Sequence, residues 1–357
     1  MPITISEISL PERADDPVWV ARGDLVRAYN HELIGTAEWD VDDESSLSLA
    51  KSNTTDRVRR ILAFDGDTVI GFANLYVNER DSPDMGNVLV FVDEGFRGRG
   101  VGTALLARLD DFAAEAGLKR LTSWVMAPIA GDEPVAVPTT GIGRAPANFS
   151  GIRFSLNNGF AMEQIERVSR YDFAAPLVAP EEALAEAEAA AGDQYELIAW
   201  EGVADDDIIG GLVVLKERMD TDPPSGGMDV IESTWDVARL REIEDRFLPR
   251  NRIWRTVVRH RHSGEIVALS ELFRDRINPD ALVDQWDTIV LPEHRGHRLG
   301  MLVKAANLLQ VRDADPGAKA VVTWNAEENR FMLGVNEALG FRPILIEAAM
   351  QKRLVAG

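Results

Sequence analysis

Hydrophobic and polar positions along the chain follow two different periods. In one segment apolar residues recur in steps of four, four and three, at Val101, Leu105, Leu109 and Phe112. This spacing places them on one face of a helix, for which Gly117 is a natural end. Elsewhere, short apolar runs are bounded by Gly, Asp and Ser, which is typical of strands joined by turns. The pattern therefore predicts a mixed α+β protein.

The same order of elements occurs twice. A hairpin turn at Gly66 recurs at Gly264, and a glycine turn that begins at Arg97 recurs at Arg295. Both pairs are 198 positions apart (264 minus 66 and 295 minus 97). Hairpin, strand, glycine turn and helix are therefore in register, which predicts two domains of similar fold.

Chain length and a linker pattern place the domain boundaries. A chain of 357 residues is long enough for two domains that each bury a core. Pro180 opens an Ala/Glu-rich run that ends at Gly192, as expected for a short surface helix. We predict an N-terminal domain at 1–176, a linker helix at 177–193 and a C-terminal domain at 194–357.

The first half carries an insertion. Trp124 and Trp324 are 200 positions apart, whereas Asn148 and Asn329 are 181 apart, so the first half has 19 extra residues (200 minus 181). The extra residues fall within 126–147, which is rich in Pro and Gly and is predicted to be a loop. A lid over a site and a disordered insertion are both compatible with it. Both tryptophans are predicted to be packing residues.

Charge and composition exclude several functions. The net charge of −21 argues against nucleic-acid binding and against an anionic membrane surface, because both need a basic face. A cationic substrate is compatible with it, but an ordinary acidic surface is the simpler interpretation. The absence of cysteine excludes disulfides, thiolate nucleophiles and zinc–thiolate sites. His260 and His262 alternate on one predicted strand, but no third ligand is evident, so we expect no metal.

Location and assembly are only weakly indicated. No apolar run approaches the length of a membrane span, and the first residues lack a basic start and an apolar signal core. We expect a cytoplasmic protein. The oligomeric state is left open between monomer and homodimer.

The two glycine turns carry the candidate chemistry. They are Arg97-Gly98-Arg99-Gly100-Val101-Gly102 and Arg295-Gly296-His297-Arg298-Leu299-Gly300. Each follows a strand-like run and opens a helix, so backbone N–H groups and the helix dipole converge on a site for an anion. A phosphate-bearing cofactor is the first interpretation. A nucleotide loop ranks last, because the Gly-Lys-Ser/Thr ending and a suitably spaced acidic partner are missing.

The residues resemble the GNAT superfamily of N-acyltransferases. Arg97-x-x-Gly100-x-Gly102 is similar to its pyrophosphate loop, and the strand over 88–92 is similar to its fourth strand. Gly159-Phe160 and Gly340-Phe341 resemble its closing motif. The resemblance covers about 57–172 and 253–354. It implies two tandem acyl-CoA N-acyltransferase folds, each a mixed, largely antiparallel sheet flanked by helices.

The resemblance also implies acetyl-CoA or another acyl-CoA as cosubstrate. In the first half it implies binding by Val90, Phe91, Val92, Arg97, Gly98, Arg99, Gly100, Val101, Gly102, Thr103 and Asn148. In the second half the corresponding set is Val290, Arg295, Gly296, His297, Arg298, Gly300, Asn325 and Asn329. Arg298 replaces an expected glycine, and its side chain either crowds the diphosphate or binds it. This favours the first half as the better CoA site. The second half, however, matches the family's Asn-containing block more fully, with Asn325, Asn329 and Asn336 (the Asn block).

The implied reaction is attack of an amine on a thioester, for which a carboxylate can remove the proton. The resemblance places candidate bases at Asp84 in the first half and at Asp284 and Asp287 in the second. Ordinary loop carboxylates are the competing interpretation of each.

One departure from the family bears on activity. Ser155 and Asn336 stand where many members have the tyrosine that protonates the leaving thiolate, so Tyr76 or a water would have to substitute. We expect an N-acetyltransferase that acts on a primary amine of a small molecule or peptide. The alternative is a non-catalytic acyl-CoA-binding or scaffolding protein with one or both domains degenerate.

Overall fold

The computed structural model describes residues 3–278 and 280–354. They form two compact units that are not contiguous in sequence. The first unit contains the described residues up to Ile165, Gly226–Met228 and the described residues from Ile346 onward. The second unit contains Glu166–Ser225 and the described residues of 229–345.

The first half of the chain forms two helices, a hairpin, a strand, a glycine turn and a long helix before its last strands. The elements are β1 (Thr4–Glu7), α1 (Pro17–Ile34), α2 (Asp43–Ser52), β2 (Asp56–Asp65), β3 (Thr68–Asn78), β4 (Met85–Val92), α3 (Val101–Glu115), β5 (Arg120–Ala127), β6 (Val135–Ala136), β7 (Ala145–Pro146), α4 (Ser150–Asn157) and β8 (Ala161–Asp172). A short 3-10 turn at Glu94–Phe96 precedes the glycine turn.

The second half repeats this order after a connecting helix. Its elements are α5 (Pro180–Ala191), β9 (Tyr195–Glu201), α6 (Asp206–Thr221), α7 (Val237–Phe247), β10 (Asn251–His260), β11 (Ile266–Asp275), β12 (Val283–Val290), α8 (Leu299–Ala314), β13 (Ala320–Ala326), α9 (Arg330–Ala338) and β14 (Arg342–Arg353). A 3-10 turn at Pro292–His294 again precedes the glycine turn.

As far as the described residues extend, each unit has a mixed sheet with one parallel pair of neighbouring long strands. In the first unit the strands lie in the order β1-β2-β3-β4-β5, and Ile346–Arg353 of β14 pair with β5. In the second unit the order is β9-β10-β11-β12-β13, and Glu166–Asp172 of β8 pair with β13. The parallel pairs are β4–β5 and β12–β13. The last strand of each unit therefore comes from the other half of the sequence.

This exchange divides the chain differently from the contiguous ranges 1–176, 177–193 and 194–357. Those ranges stay a prediction for the two halves of the repeat, and α5 lies within the predicted linker. Side-chain patterns within one strand do not specify which edge strand it joins, because antiparallel pairing is available at either edge.

Alternation along β2 explains how helices cover both faces of the first sheet. Ile61 packs in the core cluster that contains Leu105 of α3, whereas the adjacent Leu62 packs with Leu25 of α1. Successive strand residues point to opposite faces, so one strand contacts both helical layers. The four apolar residues predicted for one face of α3 are all buried.

Three local predictions can be compared with the structure. Gly66 and Gly264 lie in the hairpin turns with positive φ, as predicted. Trp124 is 40% exposed, so its predicted role as a packing residue is wrong. His262 lies in the turn after β10 and not on a strand with His260.

Candidate functional site

The parallel strands of the first unit separate after three pairs. β4 and β5 are paired from Met85 with Arg120 to Asn87 with Thr122. β4 continues to Val92 with its other edge still paired to β3, up to Val92 with Gly71. The edge of β4 that faces β5 is therefore open after Asn87. Open backbone groups beside a cleft can pair with an extended ligand that carries amides.

The parallel strands of the second unit separate in the same way, and we call the point of separation in either unit the fork. β12 and β13 pair only at Val283 with Val321 and at Asp284 with Val322. The register of β12 against β11 shifts between Ser270 and Leu272, which adds one residue to β12 and forms a bulge.

The first glycine turn leaves backbone donors without acceptors. Gly98 has φ 74° and Gly100 has φ 85°, and the carbonyl of Gly100 accepts the first helical bond, from Ala104 at 3.0 Å. Within the described chain, no acceptor reaches the N–H groups of Val101, Gly102 and Thr103. Such donors, at the positive end of the dipole of α3, are able to bind an anion.

The second glycine turn has the same backbone geometry despite its arginine. Arg298 has φ 55° and ψ 21° and caps α8 as Gly100 caps α3. It is the one residue other than glycine with positive φ among those the structure describes. Its side chain pairs with Glu186 at 3.0 Å, and both groups are exposed. Arg298 therefore preserves the turn, at a strain cost of about 1–2 kcal/mol.

The last glycine of each turn, Gly102 or Gly300, differs in how closely its neighbours approach. A Cβ on Gly102 would lie 3.0 Å from the ring of Phe154, so a side chain at this position would require that ring to move. A Cβ on Gly300 would lie 3.7 Å from Val290 and meets ordinary contacts.

The first arginine of each turn is held by the protein. Nε of Arg97 donates to the carbonyl of Val92 at 3.1 Å, and its guanidinium pairs with Glu32 at 2.6 Å. Nε of Arg295 donates to the carbonyl of Val290 at 3.1 Å, and its guanidinium pairs with Asp222 at 3.1 Å. Both arginines fix the turn to the end of the strand, and diphosphate contact by either stays a prediction.

The remaining loop residues are mostly exposed. Arg99 is exposed, and its guanidinium lies 5.0 Å from the ring of Phe96. The ring of His297 lies 5.3 Å from that of Tyr195, whose hydroxyl is bonded to Nδ1 of His294 at 3.0 Å.

The side chain of Phe91 is engaged within the protein, so its predicted role in binding is limited to its backbone. Its ring stacks on Phe72 with centroids 4.8 Å apart and meets Tyr29 edge-on at 5.0 Å. Val90 and Val92 are partly buried and pack against the first core. Their predicted binding role rests on the open strand edge.

Asp84 is poorly suited to act as a base. It lies at the closed end of the fork and pairs with Arg120 at 3.0 Å and Lys119 at 3.2 Å. Burial disfavours its ionised form, but the bonds and charges of these two cations outweigh that and lower its pKa. A carboxylate with a lowered pKa is a weak base.

Asp284 has the opposite environment. It stands where β12 and β13 part, paired through its backbone with Val322. Burial raises the pKa of Asp284 to about 7. A carboxyl group with a pKa near the working pH is well matched to general base catalysis.

Asp287 belongs to a buried ionic network that the sequence pattern did not predict. It pairs with Lys216 at 2.5 Å, and Lys216 also bonds Glu271. Glu271 accepts from Arg255 at 2.7 Å, and Arg255 donates to Glu244 at 2.6 Å. Burial raises the pKa of Asp287 and Lys216 opposes that rise. The partners come from different elements, so no local spacing reveals them.

The Asn block of the second unit is used largely within the protein. Asn329 accepts from the N–H of Met332 and caps α9. Asn336 donates to Oδ1 of Asn325 at 2.6 Å. In the described chain no donor reaches the buried Oδ1 of Asn336.

The corresponding residues of the first unit are arranged differently. Asn148 is exposed and does not cap α4, whose capping position is Phe149. Ser155 is buried. Neither Ser155 nor Asn336 offers the phenol expected at its position.

A cavity of about 370 Å³ lies beside the start of β4 in the first unit. It is lined by Asp56, Tyr76, Asn78, Ser82, Met85 and Asn87. Because Asn87 is the last paired residue before the fork opens, the cavity adjoins the open strand edge. Tyr76, the substitute acid considered from the sequence, lies in this wall.

Comparison with known proteins supports the fold inferred from the geometry. A model of the GNAT acetyltransferase family matches residues 24–130. This part of the first half is therefore similar in sequence to that family. Among curated proteins, none matches the sequence significantly.

Solved structures extend the similarity to the whole chain. A tandem GNAT protein from the clavulanic acid biosynthesis pathway has a TM-score of 0.74 and 22% identity, covering 100% of this chain and 99% of that one. A GCN5-related N-acetyltransferase from Sphaerobacter thermophilus has a TM-score of 0.61 and 14% identity, covering 98% and 95%. A glucosamine N-acetyltransferase region of a fungal β-N-acetylglucosaminidase has a TM-score of 0.59 and 15% identity, covering 98% and 38%. The chain thus has the tandem GNAT fold, and the predicted fold class is confirmed.

The structure also bears on membrane association. Along the described residues, no helix is both long and apolar enough to cross a membrane.

Proposed function

We propose that the protein is an acyl-CoA-dependent N-acyltransferase that moves an acetyl group from acetyl-CoA to a primary amine of a small molecule or peptide. The observation that carries the proposal is the open edge of β4, which runs directly into a glycine turn with free backbone donors. An extended amide-bearing arm that ends in a diphosphate matches this combination.

The first unit supplies two kinds of contact for such a ligand. The N–H groups of Val101, Gly102 and Thr103 would hold the diphosphate, and the edge of β4 after Asn87 would pair with the amides. The bound acyl-CoA would supply the thioester. We place the stronger site here, because the second turn carries the side chain of Arg298.

Proton removal differs between the units in this proposal. In the second unit Asp284 takes the proton from the amine, since its pKa is raised to about 7 at the fork. In the first unit Asp84 is held by two cations, so a water in the cavity beside Tyr76 and Asn87 relays the proton of the amine to the carboxylate of Asp56, which lines the same cavity.

Calorimetric titration with CoA tests the assignment of the first turn. Gly100→Asp adds a carboxylate and left-handed strain at the anion site, so we expect the first-unit heat of binding to disappear. Gly117→Asp is the matched control, because Gly117 is also left-handed, lies just after the same helix and has no atom within 4 Å of an added Cβ. Equal binding by the two variants would contradict the assignment.

The alternative is a non-catalytic acyl-CoA-binding protein, favoured by the absence of a phenol at Ser155 and Asn336. A panel of primary amines incubated with acetyl-CoA, with detection of free thiol, separates the two functions. Turnover of any amine above the rate without protein supports the transferase. CoA binding with no turnover of any amine supports the alternative.

A further inference from the structure

Two arginines of the first unit face the same side of the sheet as α1. Arg22 of α1 stacks over Trp19 at 4.8 Å and over Phe72 at 4.6 Å. Arg60 of β2 lies directly opposite Asn74 of β3. Both side chains are only partly exposed.

No carboxylate of the described chain forms an ion pair with either guanidinium. Among the described residues, Arg22 makes one hydrogen bond, a long one of 3.4 Å to the hydroxyl of Ser46. Asp43, the nearest acid to act on Arg22, is itself paired with Arg27 at 3.0 Å. A partly buried arginine without a counter-charge is uncommon because desolvation is costly.

The two cations also act on each other. Burial lowers the pKa of Arg22, and the charge of Arg60 lowers it further. Burial likewise lowers the pKa of Arg60. Phe72, Asn74 and Tyr76 alternate on one face of β3, where Arg22 stacks over Phe72 and Arg60 lies opposite Asn74, so both arginines lie on the face that carries Tyr76.

In the second unit the arginine that corresponds to Arg60 is neutralised by carboxylates of the protein. Asn74 and Glu271 occupy equivalent strand positions in the two units. Each lies three residues after the residue that pairs with the last valine of the neighbouring strand, which is β4 in the first unit and β12 in the second. Glu271 faces Arg255 just as Asn74 faces Arg60. Arg255 bonds both Glu271 and Glu244, so its charge is balanced inside the protein. In the first unit the carboxylate is replaced by an amide, and the arginine is left for another anion.

The face of β3 that carries Tyr76 leads to the cavity beside the fork. Asn74 donates to the hydroxyl of Tyr76 at 2.8 Å, and Tyr76 lines the cavity with Asn87. Tyr76 therefore connects the cavity, which reaches Asn87 at the fork, with the sheet face that carries Arg60 and Asn74.

We propose that Arg22 and Arg60 bind an oxyanion, a carboxylate or a phosphate, on the amine substrate of the first unit. This inference rests on the proposed transferase function and names its acceptor class. The substrate is a small amine with an anionic group. The two arginines attract this group locally, although the chain as a whole carries a net charge of −21. Arginine suits this role because its planar fork matches both oxyanions.

Acetylation of matched amines at saturating acetyl-CoA tests the inference. The probes are 4-aminobutyrate, 3-aminopropyl phosphate, 4-aminobutanol and 1,4-diaminobutane, with thiol release as the readout. We expect kcat/KM for at least one anionic amine to exceed that for the neutral one by about tenfold. Arg22→Gln and Arg60→Gln should each remove about that factor for anionic amines and leave the neutral amine within about twofold. The carboxylate and phosphate probes distinguish the two oxyanions.

Arg59→Gln is the matched control, because Arg59 adjoins Arg60 on β2 but pairs with Glu7 at 2.8 Å. A preference for neutral or cationic amines, or equal loss for every amine in the variants, would overturn the inference while leaving the transferase function intact.

If no amine is acetylated, the transferase function is rejected. A binding measurement then tests the anion site independently of turnover. With CoA saturating the glycine turns, sodium succinate or phosphate should raise the melting temperature of the wild type and of Arg59→Gln. The double variant Arg22→Gln/Arg60→Gln should lose this shift. An equal shift in all three proteins, or none, rejects the anion site.

Discussion

The two units share a backbone plan but keep their charges in different places. The long helix α3 buries Leu106 and Leu109, whereas the positions 198 residues later in α8 (304 minus 106 and 307 minus 109) are Lys304 and Asn307, both buried. The first unit has an apolar helix–sheet core, and Arg22 and Arg60 have no ion-pair partner among its described residues. The second unit encloses charged groups and balances most of them internally.

The comparison shows that the same fold can contain buried charged side chains when each of them is paired with an opposite charge. In the second unit, Glu271 bonds two cations, Lys216 and Arg255. Burial alone would raise the pKa of Glu271, but the two cations lower it to about 2. Such a network adds little net stability over an apolar core, yet it is costly to break in part.

The largest expected effect comes from removing one charge of that network. Glu271→Gln leaves Lys216 and Arg255 buried with less compensation, so we expect the second unit to lose about 3–5 kcal/mol of stability. Chemical denaturation with a probe in each unit measures it. Arg60→Gln is the comparison in the first unit and should leave the melting temperature unchanged or higher, since it removes an unpaired buried charge. Similar losses in both variants would contradict the contrast between the units.

A smaller effect is expected at the fork, where Asp284 of the second unit corresponds in register to Asn87 of the first. In a Gly100→Asp background, Asp284→Asn should reduce the remaining acetyl transfer by about a hundredfold. With a pKa raised to about 7, Asp284 is deprotonated above that pH, so activity of the parent should fall as the pH drops through 7. The pH–rate profile checks this, and an unchanged profile in the Asn variant would exclude Asp284 as the base.

Lys304 offers a pH-dependent comparison with Leu106. Burial lowers the pKa of Lys304 to about 7, and its one bonded side-chain partner among the described residues is Gln285 at 2.8 Å. Because the folded pKa is below the unfolded one, stability is present at high pH and is lost as the pH falls toward 7. The advantage of Lys304→Leu over the wild type should therefore grow by on the order of 1 kcal/mol per pH unit between about 10 and 7, and stay constant below. Thermal melts across this range measure it, and a constant difference would show that Lys304 keeps an ordinary pKa.

The smallest effect concerns the two glycine turns. Arg298→Gly removes left-handed strain but adds freedom to the unfolded chain, so we expect a net stabilisation below about 1 kcal/mol. Gly100→Arg in the first unit should destabilise by a similar amount. Loss of stability in Arg298→Gly would mean that the exposed pair with Glu186 contributes more than the strain costs.

Much of the fold was predictable because its signals are local. The hairpin glycines, the apolar face of α3 and the glycine turns depend on neighbouring residues, and their repetition 198 positions apart revealed two similar halves. The positions of the candidate residues were predictable to the same extent, since the turn residues lie together and Asp284 stands at the fork, and their functional roles stay predictions. The unsuitability of Asp84 was not predictable, because Arg120 lies 36 positions further along the chain.

The sequence by itself determined the periodicity, the repeat and the positions where a strand turns through glycine into a helix. Only the tertiary structure decided which edge strand completes each sheet, how far β4 and β5 stay paired and which charges are balanced. Arg60 and Arg255 are both arginines in similar strands, and nothing adjacent to them in sequence distinguishes them. They differ because the residue across the sheet is Asn74 in one unit and Glu271 in the other. Pairing of residues from separate strands is a property of the folded chain, and here it separates an internally neutralised arginine from one that we propose is left for the substrate.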